Sequence, residues 1–403
     1  MLSAVASYFL LLIQKIVPVR KGRLVFTSFN GHYSDNPKYI SQKLHEIAPS
    51  VDIAWLVKKQ YMSGLPAYVE AIDIDRPWAA FWNRARASVL VDNVYGGKED
   101  TLCSNGRLSR LKFRIRRFLK NKKRQRVFTT WHGTPLKCMG RDQHNSRILD
   151  FSCPQTTMLL GNRYTMDIMR HLTFEKIEMV LCGTPRNDIL FHSEKCQEEI
   201  KKRLGLPADK KIILFAPTFR NDGNDIENTN IQRSGLDQLA LMEFDSLLTT
   251  LSERFGGEWA VVCRFHYHVE ALVDWEGLQR KYPDRIINGN RHDDMAQYLA
   301  CADALLTDAS SSMYDFALTN KPCFLFFPDL EYYFNTERGF YTPIDSLPFP
   351  VAETFSQLLA AVAEFDVKLY EKKVTAMLRD YGYIDDENSS ERVARYILAQ
   401  MEA

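Results

Sequence analysis

Short apolar, β-prone runs alternate with helix-like stretches along nearly the whole chain of 403 residues. In the first half, Leu24–Phe29, Ile53–Val57, Ala71–Ile74, Ser88–Asp92, Val127–Thr130, Met158–Asn162 and Glu178–Gly183 read as strands. In the second half the same holds for Ile212–Phe215, Trp259–Cys263, Ala304–Thr307 and Cys323–Phe327. Helical stretches such as Lys38–Ile47, Glu194–Leu204 and Met313–Leu318 lie between them. This alternation is the mark of a parallel sheet covered on both faces. A chain that is 45% hydrophobic and 25% charged can fill a sizeable core, and its length suits two domains or one large one. The stretch Gly205–Asp209 reads as the linker, and the polar segment Asn221–Ser234 as a loop.

The residues at the carboxyl ends of these strands carry the chemistry. Thr129-Thr130-Trp131-His132-Gly133-Thr134-Pro135-Leu136-Lys137 runs from a strand through a glycine turn, with Pro135 expected in the first turn of a helix. That places His132 at the carboxyl edge of a sheet, where open α/β folds bind ligands, and a histidine there can exchange a proton near neutral pH. A core histidine beside a structural turn is the competing reading. A second histidine, His266, comes after the strand Trp259–Cys263, with Arg264 between them. Ser310-Ser311-Ser312 come after the strand Ala304–Thr307 and open a helix. Hydroxyls and free backbone N–H groups at such a point suit a phosphate, and simple capping is the alternative.

Charge is informative only locally, because the net charge is +2. Eleven Lys or Arg and no acid lie between Arg107 and Arg126, with Leu108, Leu111, Ile115, Phe118 and Leu119 at helical spacing. A basic amphipathic helix fits an anionic lipid surface; nucleic acid and a solvated helix docked on the sheet are the competitors, and the apolar stripe favours lipid. Residues 1–13 carry no charged side chain and are too short to span a bilayer comfortably. They lack the basic leader and cleavage site of a signal peptide. They read either as a helix lying on a membrane face or as one docked on the protein's own core. Eight cysteines without a Cys-x-x-Cys pair suggest reduced, packed thiols and a cytosolic location, with neither a disulfide framework nor a zinc site.

Several stretches together resemble the CDP-glycerol glycerophosphotransferase family, the teichoic-acid primases and polymerases of bacterial envelopes. They are Ser28-Phe29-Asn30-Gly31 with Ser34-Asp35-Asn36-Pro37, Trp131–Lys137 with Gly140 and Asp142, Gly183-Thr184-Pro185-Arg186-Asn187-Asp188 and Ala216-Pro217-Thr218-Phe219-Arg220. Thr307-Asp308 with Ser310-Ser311, Lys321-Pro322, Pro328-Asp329-Leu330 and Arg338-Gly339-Phe340-Tyr341 complete the set. Tyr267, Ala309 and Phe349 depart from the family's pattern at positions that bear on the choice of alditol.

The resemblance implies two Rossmann-like α/β domains facing a cleft, of glycosyltransferase B type. The expected division is an apolar membrane-associating segment over 1–20, an acceptor-side domain over 21–204 and a nucleotide-binding domain over 205–403. It implies transfer of glycerol phosphate from CDP-glycerol to a lipid-linked, capsular or teichoic-acid-type glycan, with release of CMP, by a peripheral protein on the inner membrane face. His132 would be the general base, and His266 with Arg264 would stabilise the diphosphate and leaving CMP. Ser310, Ser311, Ser312, Thr218, Arg220, Asp308 and Arg338 would complete substrate binding. No metal or cofactor is required by these residues, although a divalent cation such as Mg is compatible with them. The membrane would be met through 1–17 and 107–126, and no nucleic acid is expected. CDP-ribitol as donor, a sugar-nucleotide glycosyltransferase, and an inactive membrane-surface scaffold are the alternatives. Glycerol against ribitol, primase against polymerase, and the acceptor stay open.

Overall fold

The computed structural model describes residues 4–29, 31–93, 107–120, 122–142, 155–172, 177–192, 194–218, 233–291, 294–336 and 339–402. The strands of its first sheet are β1 (Arg20–Phe26), β2 (Asp52–Val57), β3 (Val69–Asp73), β4 (Ala87–Asp92), β5 (Arg126–Thr129), β6 (Thr156–Leu160) and β7 (Glu178–Leu181). Their order is β3-β2-β1-β4-β5-β6-β7, and every pairing is parallel. The second sheet holds β8 (Lys211–Ala216), β9 (Trp259–Cys263), β10 (Ile286–Asn288), β11 (Ala304–Thr307), β12 (Cys323–Phe326) and β13 (Val351–Ala352). Its order is β10-β9-β8-β11-β12-β13, again all parallel. Both sheets are therefore doubly wound, as the alternation of elements predicts. Strand order reverses between β1 and β4 in one sheet and between β8 and β11 in the other, the positions at which such folds bind ligands.

The chain forms two compact units, and the units do not follow the expected boundaries. The first comprises Met1–His132, Met139–Asp188 and Gly382–Ala403; the second comprises Gly133–Cys138 and Ile189–Tyr381. Gly205–Asp209 is not a free linker. Gly205 takes a left-handed φ of 67°, the Leu206 N–H closes the preceding helix on the Lys201 carbonyl, and Leu206 is buried. The helix Glu194–Leu204 belongs to the second unit, where Arg203 donates to Gln297 at 3.0 Å.

The last helix, Ser389–Glu402, belongs to the first unit instead of the second. Its Val393, Ala394 and Ile397 join Leu24, Phe26, Ile40, Leu44, Trp55 and Phe128 in one core cluster. Full burial of such side chains is worth about 1.5–3 kcal/mol each. The Asp188 carboxylate caps this helix, accepting from the Ser389 N–H at 2.9 Å and the Ser390 N–H at 2.8 Å. Gly183 makes the approach possible: at its φ of 87°, a Cβ would stand 2.3 Å from the Ser389 hydroxyl.

A helix is not found where Pro135 led one to expect it. Residues 134–138 form no helix, the Cys138 N–H donating to the Gly339 carbonyl and the Tyr341 N–H to the Leu136 carbonyl. Lys137 and Phe340 thus form an antiparallel bridge, which satisfies the backbone groups a helix would have used. In the first unit the helix Ala4–Ile16 packs against both Pro77–Arg86 and Arg107–Lys120. Lys15 Nζ donates to the Phe118 carbonyl at 2.8 Å and lies 3.4 Å from the centre of the Phe118 ring. Among the described residues no helix is long and apolar enough to cross a membrane.

Candidate active site

His132 follows β5, beside the point where strand order reverses in the first sheet. The Thr130 N–H still bonds to the Asp92 carbonyl of β4 at 2.9 Å, and then the chain turns sharply. Trp131 takes a φ of 54° and the following Gly133 a φ of 149°. The turn aims the imidazole back at β4, where Nδ1 lies 3.2 Å from the Asn93 carbonyl oxygen. A carbonyl can only accept, so Nδ1 carries the hydrogen and Nε2 keeps its lone pair. Phe29 meets the imidazole edge-on at 5.8 Å between ring centres, and Trp131 lies against it at 4.3 Å.

Polar groups distant in sequence hold this turn from behind. Arg186 donates through Nη1 to Asp35 Oδ2 at 2.8 Å and to the His132 carbonyl at 2.8 Å. Its backbone N–H donates to Asn36 Oδ1 at 3.1 Å, and Asn36 Nδ2 donates to the Trp131 carbonyl at 3.3 Å. Both ion-pair partners are nearly buried, with side chains 9% and 10% exposed, so this pair is not a solvent-screened surface contact. Burial pushes the His132 pKa down; Asp35 and the Asn93 carbonyl oppose the shift, and Arg186 adds to it. Burial likewise pushes the Asp35 carboxyl up, against the pull of Arg186. The ring that results is uncharged at neutral pH and able to take up a proton on Nε2.

Three non-glycine residues around this turn hold a left-handed backbone: Phe29 at 26°, Asp35 at 60° and Trp131 at 54°. Each such conformation costs on the order of 1–3 kcal/mol and persists only where the surroundings over-determine it. Gly31 sits in the same loop at a φ of 89°, where a Cβ would come within 2.9 Å of the Lys58 nitrogen. Strain of this kind clusters at functional sites, and here it gathers after β1 and β5 and at the start of the helix Asp35–Ile47.

In the second unit the expected residues also gather at strand ends. Thr218 follows β8, Arg264 and His266 follow β9, and Asp308 with the serines follows β11, the neighbour of β8 across the reversal. Not all of them face a ligand. Asp308 is fully buried: its Oδ1 accepts from the Thr218 N–H and hydroxyl, both at 2.8 Å, and its Oδ2 from Gln238 at 3.0 Å. It braces the loop after β8, a role a strand-end aspartate does not reveal in sequence. Arg264 donates to the Gly289 carbonyl at 2.6 Å with its guanidinium 5.2 Å over the Tyr298 ring. The His266 carbonyl accepts from Val269 and Glu270, which starts a short helix.

The serines differ among themselves. Ser312 is buried and its hydroxyl is 2.8 Å from that of Ser310, which also takes the Ser312 N–H. The helix they open, Ser312–Ala317, has six residues, too few for a large dipole. Ser310 and Ser311 are the two that keep partial exposure. Arg220 and Arg338 lie outside the described residues, as does most of Asn221–Ser234. Among the described residues no group of three or more His, Cys, Asp or Glu is placed to hold a metal ion.

The residues that sequence reasoning missed are Asn93 and the roles of Asp35, Asn36 and Arg186. Asp35, Asn36 and Arg186 stand in stretches already singled out for the resemblance, but nothing in those stretches names the distant groups they hold.

Known proteins are similar to this chain in sequence and in fold. Residues 9–399 match the family described as CDP-Glycerol:Poly(glycerophosphate) glycerophosphotransferase. The chain belongs to this family. It is 28% identical over 400 residues to the teichoic acid poly(glycerol phosphate) polymerase of Staphylococcus epidermidis, covering 94% of this chain and 51% of the relative. It therefore spans about half the length of that polymerase. It is also 28% identical over 404 residues to the teichoic acid glycerol-phosphate transferase of Staphylococcus aureus, covering 94% and 93% of the two chains. The wall teichoic acid polymerase TagF shares the fold, with a TM-score of 0.75 at 25% identity over 95% of this chain and 90% of that one. A TagF variant has been solved after a soak with CDPG. Relatives named for ribitol phosphate match over little more than half of the chain, 54% in one case.

Proposed function

We propose that this protein transfers glycerol phosphate from CDP-glycerol to a hydroxyl of a lipid-linked or polymeric glycan, releasing CMP. The observation that carries the reading is the braced, uncharged His132, its Nε2 free of the hydrogen that Nδ1 gives to Asn93, in a chain whose family is named for this reaction.

In the reaction so assigned, the acceptor hydroxyl gives its proton to His132 Nε2 as its oxygen bonds to the phosphorus that carries glycerol. The bond from that phosphorus to the bridging oxygen breaks, and CMP leaves with the electron pair. Such transfers depend on positioning and charge neutralisation more than on covalent help from the protein. Arg264 and His266 after β9, and the hydroxyls of Ser310 and Ser311 after β11, are the groups we assign to the diphosphate. Arg220 and Arg338 are assigned there on sequence alone. Thr218, Asp308 and Ser312 are assigned to holding these strand ends in shape, through the hydrogen bonds of Asp308 to Thr218 and of Ser312 to Ser310.

Glycerol is preferred to ribitol because relatives named for glycerol phosphate match over 94% of the chain and the ribitol-named one over 54%. We place the protein on an anionic membrane surface through the helices Ala4–Ile16 and Arg107–Lys120. Phe9, Leu12, Ile16, Leu111, Ile115 and Phe118 are exposed there, beside Lys112, Arg114, Arg116 and Lys120. The test is a donor panel: purified protein with a glycan acceptor is offered CDP-glycerol, CDP-ribitol and sugar nucleotides. Consumption of CDP-glycerol is expected, and consumption of a sugar nucleotide with both CDP-alditols untouched overturns the assignment.

A further inference from the structure

We propose that Arg186 and Asp35 act as a matched pair of positioning residues, which fix the Trp131–His132 turn and set the charge that His132 carries. The proposal rests on the reading of His132 as the proton acceptor, and it names the residues that make that reading work.

Geometry gives the first half. A single Arg186 nitrogen holds both the Asp35 carboxylate and the His132 carbonyl, each at 2.8 Å. The neighbouring Asn36 ties the Arg186 N–H to the Trp131 carbonyl through its two amide atoms, at 3.1 and 3.3 Å. Two successive carbonyls of a turn with a left-handed tryptophan are thus gripped by one arginine and one asparagine. Locally the Thr130 hydroxyl also donates to the Trp131 carbonyl, at 3.0 Å; the grip on the His132 carbonyl comes from Arg186, so the turn draws on partners from the helix Asp35–Ile47 and the 3₁₀ segment Pro185–Phe191.

Charge gives the second half. Among the described residues the charged groups that act on the imidazole are Asp35, from that helix, and Arg186, from that segment. They oppose each other: the carboxylate favours an imidazolium, the guanidinium disfavours it. While they are paired and nearly buried, the two charges act on the ring in opposite senses and its own burial outweighs them, which leaves it neutral. Removing either partner uncovers the other. Arg186 is therefore more than a strut, and lysine is a poor substitute, because the N–H directions of Nη1 are fixed in the guanidinium plane, whereas those of a more strongly hydrated ammonium rotate freely.

The experiment reads His132 directly. Full-length protein labelled on histidine is titrated by NMR, the His132 resonance being identified by its loss in His132→Gln. Arg186→Gln is expected to raise the His132 midpoint by about one unit and Asp35→Asn to lower it by a similar amount. The double variant Asp35→Asn/Arg186→Gln leaves no buried unpaired charge, and so stays measurable if Arg186→Gln folds poorly; its midpoint should fall between the two. Arg186→Lys should hold the midpoint near its native value while kcat falls on the order of 10²-fold at little-changed KM. Midpoints that move the same way in both single variants, or that do not move in either, overturn the proposal. Failure of the catalytic reading shows separately, as full turnover in His132→Gln with the titration arm unaffected.

Discussion

Replacing His132 by glutamine keeps a polar side chain at the end of β5 and removes the proposed proton acceptor. Turnover should then fall by ~10²–10⁴-fold, with the melting temperature at neutral pH nearly unchanged. A large loss of stability with activity retained per folded molecule would return His132 to a structural role. The same substitution tests the charge of the ring. Because the folded pKa lies below the unfolded value of about 6.5, the unfolded chain takes the proton first as the pH falls. The stability His132 lends is present above about pH 6.5 and is lost as the pH drops from there through the folded value. His132→Gln should flatten that part of the melting curve against pH, while Asp35, with its pKa raised, works in the opposite sense in both proteins. The histidine is legible in sequence, since strand, glycine and proline signal a turn at a sheet edge. Its bracing is not: Arg186 and Asp35 are 151 residues apart and neither looks unusual locally.

At the scale of elements, β8, β9, β11 and β12 announce themselves as apolar runs because both faces of each strand are buried. The strands β10 and β13 escape notice because three and two residues are too few for any pattern. The helix Pro77–Arg86 adds a feature that hydropathy alone passes over. Trp78 is 71% exposed and Trp82 48%, on a helix that packs against Ala4–Ile16. Amphipathic rings of this kind favour the membrane–water boundary. Trp78→Ala/Trp82→Ala should weaken binding to anionic vesicles without lowering the melting temperature, since neither ring is buried. Arg114, Arg116 and Lys120 changed to Glu, combined with removal of residues 1–17, should abolish it, and salt should weaken what the basic helix contributes. Flotation with vesicles reads both. Undiminished flotation of the combined variant would place attachment on other surfaces.

For the whole molecule, the order of elements predicts two doubly wound sheets, but not that the chain's end returns to the first unit. That return depends on Val393, Ala394 and Ile397 finding β1 and β2, and no local signal in the helix Ser389–Glu402 names its partner. Ile397→Ala, at a fully buried position, should destabilise the first unit by about 2–5 kcal/mol. Hydrogen exchange would show this as lost protection in β1 and β2 with β8 and β9 unchanged. Uniform loss in both sheets would mean that the two units unfold together. The chemistry of the whole molecule is read most directly from the nucleotide left behind. In the proposed transfer from CDP-glycerol to a glycan acceptor, the bond between the two phosphates breaks, so one CMP should appear for each glycerol phosphate gained by the acceptor. A nucleoside diphosphate as the product, with the acceptor gaining a sugar and no phosphate, would contradict it.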